Sequence, residues 1–215
     1  SATKATGPTF RSWTPQTTPV RYFPRMASVL AGATTTAGSE ITVEALSNVA
    51  RTYNFRFTVR DNRAGGSGNN SDDAVITVNG TAGPFSVSSQ NTATTVTGGT
   101  SQTVTWNVAG TTANGVNAAN VDILWSTDGG NTWTTLLAGT PNDGTQAVTI
   151  PNTSTTTGRI MVKGSNHIFF DVNNANITVN AGSGTSDTTA PTAPTLAASG
   201  TTSTSTNLSW SGATD

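Results

Sequence analysis

The stretch from Val121 to Trp133 constrains the fold more strongly than any other part of the chain. From Val121 to Ser126 the chain alternates between two sets of residues, Val121, Ile123 and Trp125 in one and Asp122, Leu124 and Ser126 in the other. This is the two-residue period of a β-strand with two unlike faces. Asp128-Gly-Gly-Asn131 then predicts a tight turn, because glycine and asparagine tolerate positive φ angles. A second β-prone run, Thr132 to Leu137, follows. The stretch therefore predicts a β-hairpin.

The composition of the whole chain favours strands over helices. Only 10% of the 215 residues are charged, and the chain is rich in Thr, Ser, Asn and Gly. These residues compete for backbone hydrogen bonds or lose conformational freedom in a helix. No window shows a sustained 3.6-residue apolar period, and Ala27 to Ala31 could form one turn at most. The sequence predicts an all-β fold.

Charge and cysteine content narrow the classes of function. The formal net charge is −1, which gives no electrostatic case for nucleic-acid binding. Residues 1–80 carry eight Lys/Arg and five Asp/Glu, whereas residues 81–215 carry two and six. Cysteine is absent, so an extracellular bacterial protein is favoured over a disulfide-rich animal one. No apolar run is long enough to span a bilayer, and the opening Ser1 suggests a piece excised from a longer protein.

The chain divides into three modules. Residues 1–79 include the clearest strand, Arg51–Arg60, followed by a Gly/Asn-rich loop and a second strand. Residues 85–180 contain short β-prone runs at spacings of roughly 8–12 residues, which is the signature of a β-sandwich, with Trp106 as its expected core. Residues 181–194 have the composition of a flexible linker. Residues 195–215 begin a third module.

Each module resembles a known type of β-domain. The strands and loop that end residues 1–79 resemble the end of a PKD-like or cadherin-like immunoglobulin sandwich. The residues from Asp187 to Asp215 resemble the first strands of a fibronectin type III domain, with Trp210 at the usual core position. Together these resemblances imply tandem immunoglobulin-like β-sandwiches, of which only residues 85–180 form a complete one.

The hairpin at Val121–Trp133 also resembles the Asp-box of sialidases and other secreted β-rich proteins. The spacing S-x-D-x-G-x-T-W is carried by Ser126, Asp128, Gly130, Thr132 and Trp133. In those families the aspartate closes the turn and the tryptophan packs beneath it. The resemblance implies a structural role for these five residues and no catalytic one.

Longer motifs resemble one protein family more specifically. The motifs are GPTFRSW at residues 7–13, RYFP at 21–24, FRFTVRDN at 55–62, DDAVITV at 72–78 and IMVKGSNHIFFD at 160–171. They resemble the region downstream of the catalytic domain in secreted reprolysin-like zinc metalloproteases of Bacteroidota-type bacteria. The resemblance implies secretion, or a place at the cell surface, and an upstream protease domain as partner. The zinc motif H-E-x-x-H cannot lie in this chain, whose single histidine is His167.

Three groups of residues are candidate sites. Asp61, Asn62, Asp72 and Asp73 bracket one loop and supply the hard oxygen ligands that Ca²⁺ prefers, although a solvated turn is the favoured explanation. Exposed Trp13 and Trp125 could stack on sugar rings. Thr188, in the linker, matches a short Asp-Thr-small motif that resembles bacterial O-glycosylation sites.

These observations favour a non-catalytic accessory region that spaces, docks or contacts substrate for a large secreted protein. Its partner would be its own upstream catalytic domain or another cell-surface protein. The first alternative is a carbohydrate-binding or adhesin module, which requires Trp13 and Trp125 to be exposed side by side. The second is a hydrolase built on His167, which requires a nearby carboxylate and a nucleophile.

Overall fold

The computed structural model describes residues 1–39, 41–182 and 192–212, and its regular structure is almost entirely strand. The predicted all-β fold is therefore confirmed. The chain separates into two compact units, Ser1–Gly182 and Ser183–Asp215. No helix within the described ranges has the length and apolar character needed to cross a membrane.

The first unit contains one short helix and a series of strands. In chain order they are α1 (Met26–Leu30), β1 (Thr35–Ala37), β2 (Thr42–Ala45), β3 (Arg51–Arg60), β4 (Asn69–Val78), β5 (Ser86–Val87), β6 (Thr94–Thr97), β7 (Ser101–Asn107), β8 (Asn120–Ser126), β9 (Thr134–Pro141), β10 (Thr145–Thr149), β11 (Thr155–Gly164), β12 (Phe170–Val172) and β13 (Ile177–Asn180).

Strands β5 to β13 form two sheets that share an apolar core. The smaller sheet has the order β10-β7-β5, and the larger has the order β6-β13-β11-β8-β9, with β12 paired to β11. All pairs are antiparallel except β13 with β6, which run parallel. The core is made of inward-facing side chains from both sheets: Val87, Val96, Val104, Trp106, Val121, Ile123, Trp125, Val148, Ile150, Ile160, Val162, Ile177 and Val179.

The two tryptophans of this core are held differently. Trp106, only 4% exposed, was expected in the core and is there; its Nε1 donates to Asn142 Oδ1 at 2.8 Å. Trp125 is 2% exposed and packs against the backbone of β11. A Cβ at Gly158 would lie 2.4 Å from the Trp125 ring, so glycine is needed there for the ring to fit.

The larger sheet is covered on its outer face as well. A second cluster, here called the outer cluster, combines Met161 and Val172 of the sheet with Val29 of α1. Tyr22, Met26, Leu30, Leu124, Trp133 and Phe170 pack around these three. Residues 20–32 therefore lie against the sandwich and bury a face that would otherwise meet water.

The rest of the N-terminal region contains two separate two-stranded sheets. β1 pairs with β2, and β3 pairs with β4 over ten residue pairs. An aromatic group formed by Phe10, Phe23, Tyr53 and Phe55, with ring centroids 4.9–6.1 Å apart, covers the first half of the β3–β4 hairpin. Thr9 Oγ1 and Tyr53 OH are hydrogen-bonded at 2.6 Å.

The second unit, where described, is a hairpin of β14 (Thr195–Ser199) and β15 (Asn207–Ser211). Leu196 lies opposite Trp210, and Ala198 lies opposite Leu208, so one face of the hairpin is apolar. All residues of both strands are exposed, and Trp210 is 73% exposed. Trp210 is thus on the surface of the described hairpin, where the fibronectin-like resemblance implied a core residue.

Candidate functional site

The turn after β8 is closed by the side chain of Asp128. Its Oδ1 accepts hydrogen bonds from Ser126 Oγ at 2.7 Å and from the backbone N–H groups of Asn131 and Thr132 at 3.1 and 2.9 Å. Its Oδ2 accepts from Thr132 Oγ1 at 2.6 Å. Bonds from the Thr132 and Ser126 side chains and from the Thr132 and Asn131 backbone lower the pKa of Asp128 to about 2.

Ser126, Gly130 and Trp133 of the same motif fix the turn and its packing. Ser126 Oγ accepts from the Gly130 N–H at 2.8 Å, and Gly130 has a φ of +93°. A Cβ at Gly130 would lie 3.0 Å from Leu30 and 3.3 Å from the Trp133 ring. Trp133 packs into the outer cluster. The hairpin therefore provides a contact point for α1, and the polar side chains of Ser126, Asp128 and Thr132 hold its own turn.

Glu44, in the N-terminal region, is a buried carboxylate that accepts four hydrogen bonds. Its side chain has no exposed surface, and Oε1 accepts from Trp13 Nε1 at 2.8 Å and from Arg21 Nη2 at 2.6 Å. Oε2 accepts from the Arg25 N–H at 3.1 Å and from Thr36 Oγ1 at 3.0 Å. One carboxylate thus anchors three points of the irregular segment 10–25.

The pKa of Glu44 reflects these bonds. Burial raises it, but hydrogen bonds from Trp13, Arg21, Thr36 and the Arg25 backbone outweigh burial and lower it below its ordinary value of 4.5. Sequence reasoning missed this role. Alternation along Glu40–Leu46 identifies a strand, but the donors that surround Glu44 come from residues up to 31 positions away.

The four residues of the predicted calcium site do not converge. Asp73 forms a bidentate ion pair with Arg56, at 2.7 Å for both bonds, and this pairing lowers the pKa of Asp73. Asp61 Oδ1 accepts from the N–H groups of Arg63 and Gly68. Asp72 lies opposite Phe57 in the β3–β4 register. Phe57 precedes Asp61 by four residues, so Asp72 and Asp61 are separated by roughly 13 Å along the strand direction.

Asn62, the fourth of these residues, has a φ of +49° and lies in the turn beside Asp61. Within residues 1–39, 41–182 and 192–212, no three His, Cys, Asp or Glu side chains come together as a metal-holding group. The geometry is that of a solvated turn next to a surface ion pair, which was the second explanation open from the sequence.

The predicted aromatic platform is not formed. Trp125 lies in the sandwich core, because it is in phase with Val121 and Ile123 on the inner face of β8; this corrects the expectation that its ring is exposed. Trp13 is 38% exposed, but its Nε1 is bound to Glu44 and the Arg25 guanidinium lies 4.3 Å from its ring centroid.

His167 is the remaining candidate within the described residues. His167 lies beside Phe169, with ring centroids 5.6 Å apart, and Ser165 Oγ donates to Asp122 Oδ1 at 2.6 Å. No hydrogen bond between His167 and a serine or a carboxylate is present among the described residues. Thr188, the predicted O-glycosylation site, lies outside the described residues.

Exposed apolar side chains lie on both faces of the β3–β4 hairpin. Phe57 and Val59, on one face, are 58% and 55% exposed, and Val75, on the other face, is 66% exposed. Two shallow surface depressions are lined by residues of this hairpin. A surface of this kind suits contact with another polypeptide better than the enclosure of a small molecule.

Comparison with protein-family models gave no match, and comparison with curated proteins gave no significant one.

Proposed function

We propose that this chain is a non-catalytic all-β region of a large secreted or cell-surface bacterial protein, in which it spaces and docks neighbouring parts. The observation that supports this proposal is the outer cluster. It joins residues 20–32 to the outer face of the larger sheet, so that Ser1–Gly182 form one compact unit. A spacer must keep its parts at fixed positions, and a shared apolar core provides this.

Polar contacts reinforce the same junction. Arg159 Nη1 donates to the backbone oxygens of Leu30 at 3.0 Å and Asn173 at 2.7 Å. The Tyr22 and Phe170 rings meet edge-on with centroids 5.3 Å apart. Modules that are joined only by a linker move relative to each other, whereas an apolar interface with directed hydrogen bonds restricts that motion.

The parent protein in this proposal is a secreted zinc metalloprotease, and its upstream catalytic domain is the partner of this region. The support is the resemblance of residues 7–180 to the region downstream of such catalytic domains. Glu44 and Asp128, two carboxyl groups whose pKa values are lowered, accept several structural hydrogen bonds, which agrees with a role outside the catalytic step.

The carbohydrate-binding alternative has no observation in its favour. It needs two exposed rings side by side, but Trp125 is buried and Trp13 is held by Glu44 and Arg25. We therefore put forward a single function.

The first test is the mass and peptide map of the native polypeptide that contains this sequence. We expect a longer polypeptide, with peptides from an upstream helix carrying H-E-x-x-H. A native polypeptide made only of β-modules would refute the protease context, and glycan arrays and adhesion assays would then be the next experiments.

The spacing role is tested separately with a matched pair of substitutions on α1. Val29 is 7% exposed in the outer cluster, whereas Ala27 is exposed on the other side of the same helix. We expect Val29→Asp to make residues 20–32 susceptible to limited proteolysis and Ala27→Asp to leave them resistant. In the parent, Val29→Asp should slow cleavage of folded protein substrates while short peptides are cleaved normally. Equal effects on both substrates would refute a spacing role.

A further inference from the structure

The β3–β4 hairpin has the features of an incomplete sheet. Among the described residues, neither β3 nor β4 pairs with any strand other than its hairpin partner. Two-stranded sheets are marginal in water, and a long unpaired edge is a template for a further strand. Ten residue pairs make this ribbon longer than most strands in globular proteins.

One end of the apolar face of this ribbon is uncovered. Tyr53, Phe55, Phe57 and Val59 share that face because they alternate along β3. Phe10 and Phe23 cover the first two, and the coverage stops before Phe57. Phe57 and Val59 therefore remain more than half exposed, next to the unpaired edge of their own strand.

We propose that two copies of this chain associate through their β3 edges, which pair antiparallel about a two-fold axis at Phe57. This proposal concerns the chain itself and holds whatever the parent protein is. The product is a four-stranded sheet in the order β4-β3-β3-β4. An interface of this type uses the same patch on both copies and is closed after two.

The sequence of β3 is complementary to itself about Phe57. In that register Phe57 faces Phe57 of the second copy, and Phe55 faces Val59, so the apolar face becomes continuous across the axis. On the polar face Arg56 comes opposite Thr58, and Asn54 comes opposite Arg60. No like charges are directly opposed, and Arg56 is already neutralised by its own Asp73.

The edge of β4 is a poorer choice for the second copy. The residues of β4 that share the apolar face at this end are Asp72 and Asn70, opposite Phe57 and Val59. Pairing two β4 edges would bring polar and acidic side chains together and leave Phe57 and Val59 at the outer margins of the sheet. Of the two edges, only β3 covers Phe57 and Val59 when it pairs.

The test exploits the absence of cysteine from the chain. In an antiparallel pair, residues directly opposite have Cα atoms about 4.5–5.5 Å apart, which lies within the range for a disulfide. We expect the full chain to have about twice the mass of its 21.9 kDa monomer in light scattering at high concentration. Phe57→Cys should then give a disulfide-linked dimer under mild oxidation, and Val75→Cys, which is equally exposed on β4, should not.

A second pair of variants tests the energetics. Phe57→Lys should raise the dissociation constant about a hundredfold, because two buried phenyl rings are lost per dimer. Val75→Lys should leave the dissociation constant unchanged. Trp210→Ser should also leave it unchanged, since Trp210 lies on the other unit's exposed hairpin.

Three results would overturn the proposal. The first is a monomer at all concentrations up to about 1 mM, which corresponds to about 4 kcal/mol of association free energy. The second is a dimer in which Phe57→Cys does not cross-link. The third is a dimer that Trp210→Ser abolishes, which would place the contact on the β14–β15 hairpin.

Discussion

Replacing Glu44 by alanine is expected to lower the free energy of unfolding by about 1–3 kcal/mol, the cost of leaving buried donors without their acceptor. The carboxylate has no exposed surface and bonds Arg21 at 2.6 Å. It also holds Trp13, Thr36 and the Arg25 backbone, so alanine leaves four donors without their acceptor. Urea unfolding at pH 7, followed by tryptophan fluorescence, measures the change.

Glutamine at the same position separates charge from shape. Because the folded-state pKa of Glu44 lies below its ordinary value of 4.5, the charged side chain stabilises the fold above about pH 4.5. That contribution is lost as the pH falls through the folded-state pKa. Wild type should therefore be more stable than Glu44→Gln at pH 7, and the difference should shrink as the pH falls below 4.5.

Asp73→Ala is the matched control for Glu44→Ala. Asp73 also pairs with an arginine at 2.7 Å, but both side chains are more than 60% exposed, and exposed pairs contribute little. Equal destabilisation by the two alanine substitutions would refute the reasoning. So would a Glu44→Gln variant whose stability follows that of wild type at every pH.

Two further substitutions test the sandwich and its hairpin. Gly158→Ala should destabilise the fold by about 1–3 kcal/mol, because the new Cβ would lie 2.4 Å from the Trp125 ring. Gly68→Ala, whose new Cβ would meet only Asp61 Oδ2 at 3.4 Å, is the control in thermal unfolding, and similar melting temperatures for the two variants would contradict this reasoning. Asp128→Asn should lower stability at pH 7, and the loss should fade between pH 3.8 and about 2, since the native carboxylate has a pKa of about 2. A pH-independent difference would show that charge is not what Asp128 contributes.

Local patterns in the sequence predict the strands well. Alternation predicted a strand at Arg51–Arg60, and β3 has these bounds. It predicted another at Val121–Ser126, and β8 begins one residue earlier. The expectation that Trp125 is exposed was wrong because it relied on the residue type, as a ring able to stack on sugars, and ignored the position of Trp125 in the alternation. Trp125 is in phase with Val121 and Ile123, which are fully buried.

Long-range packing was much harder to foresee. Three of the four donors to Glu44, from Trp13, Arg21 and Arg25, come from an irregular segment without periodicity. No local pattern in that segment shows that these donors meet at one carboxylate. The residues of the predicted calcium site do not lie together, for a related reason. Asp61 and Asp72 bracket one loop in sequence, but the ten-pair register of β3 with β4 carries them apart along the ribbon.

The sequence contains an indication of the outer cluster, although the alternation that identifies a strand does not by itself reveal it. On β8 and β11 the outward positions Leu124 and Met161 are apolar and lie directly opposite each other, among polar outward residues. A sandwich sheet that meets water on one side carries polar residues there, so a pair of apolar outward residues indicates that this part of the face is covered. In this chain the cover is α1 and the segment before it. The same reasoning applies to β3, whose apolar face extends beyond the residues that cover it, and it is why the ribbon is expected to have a partner.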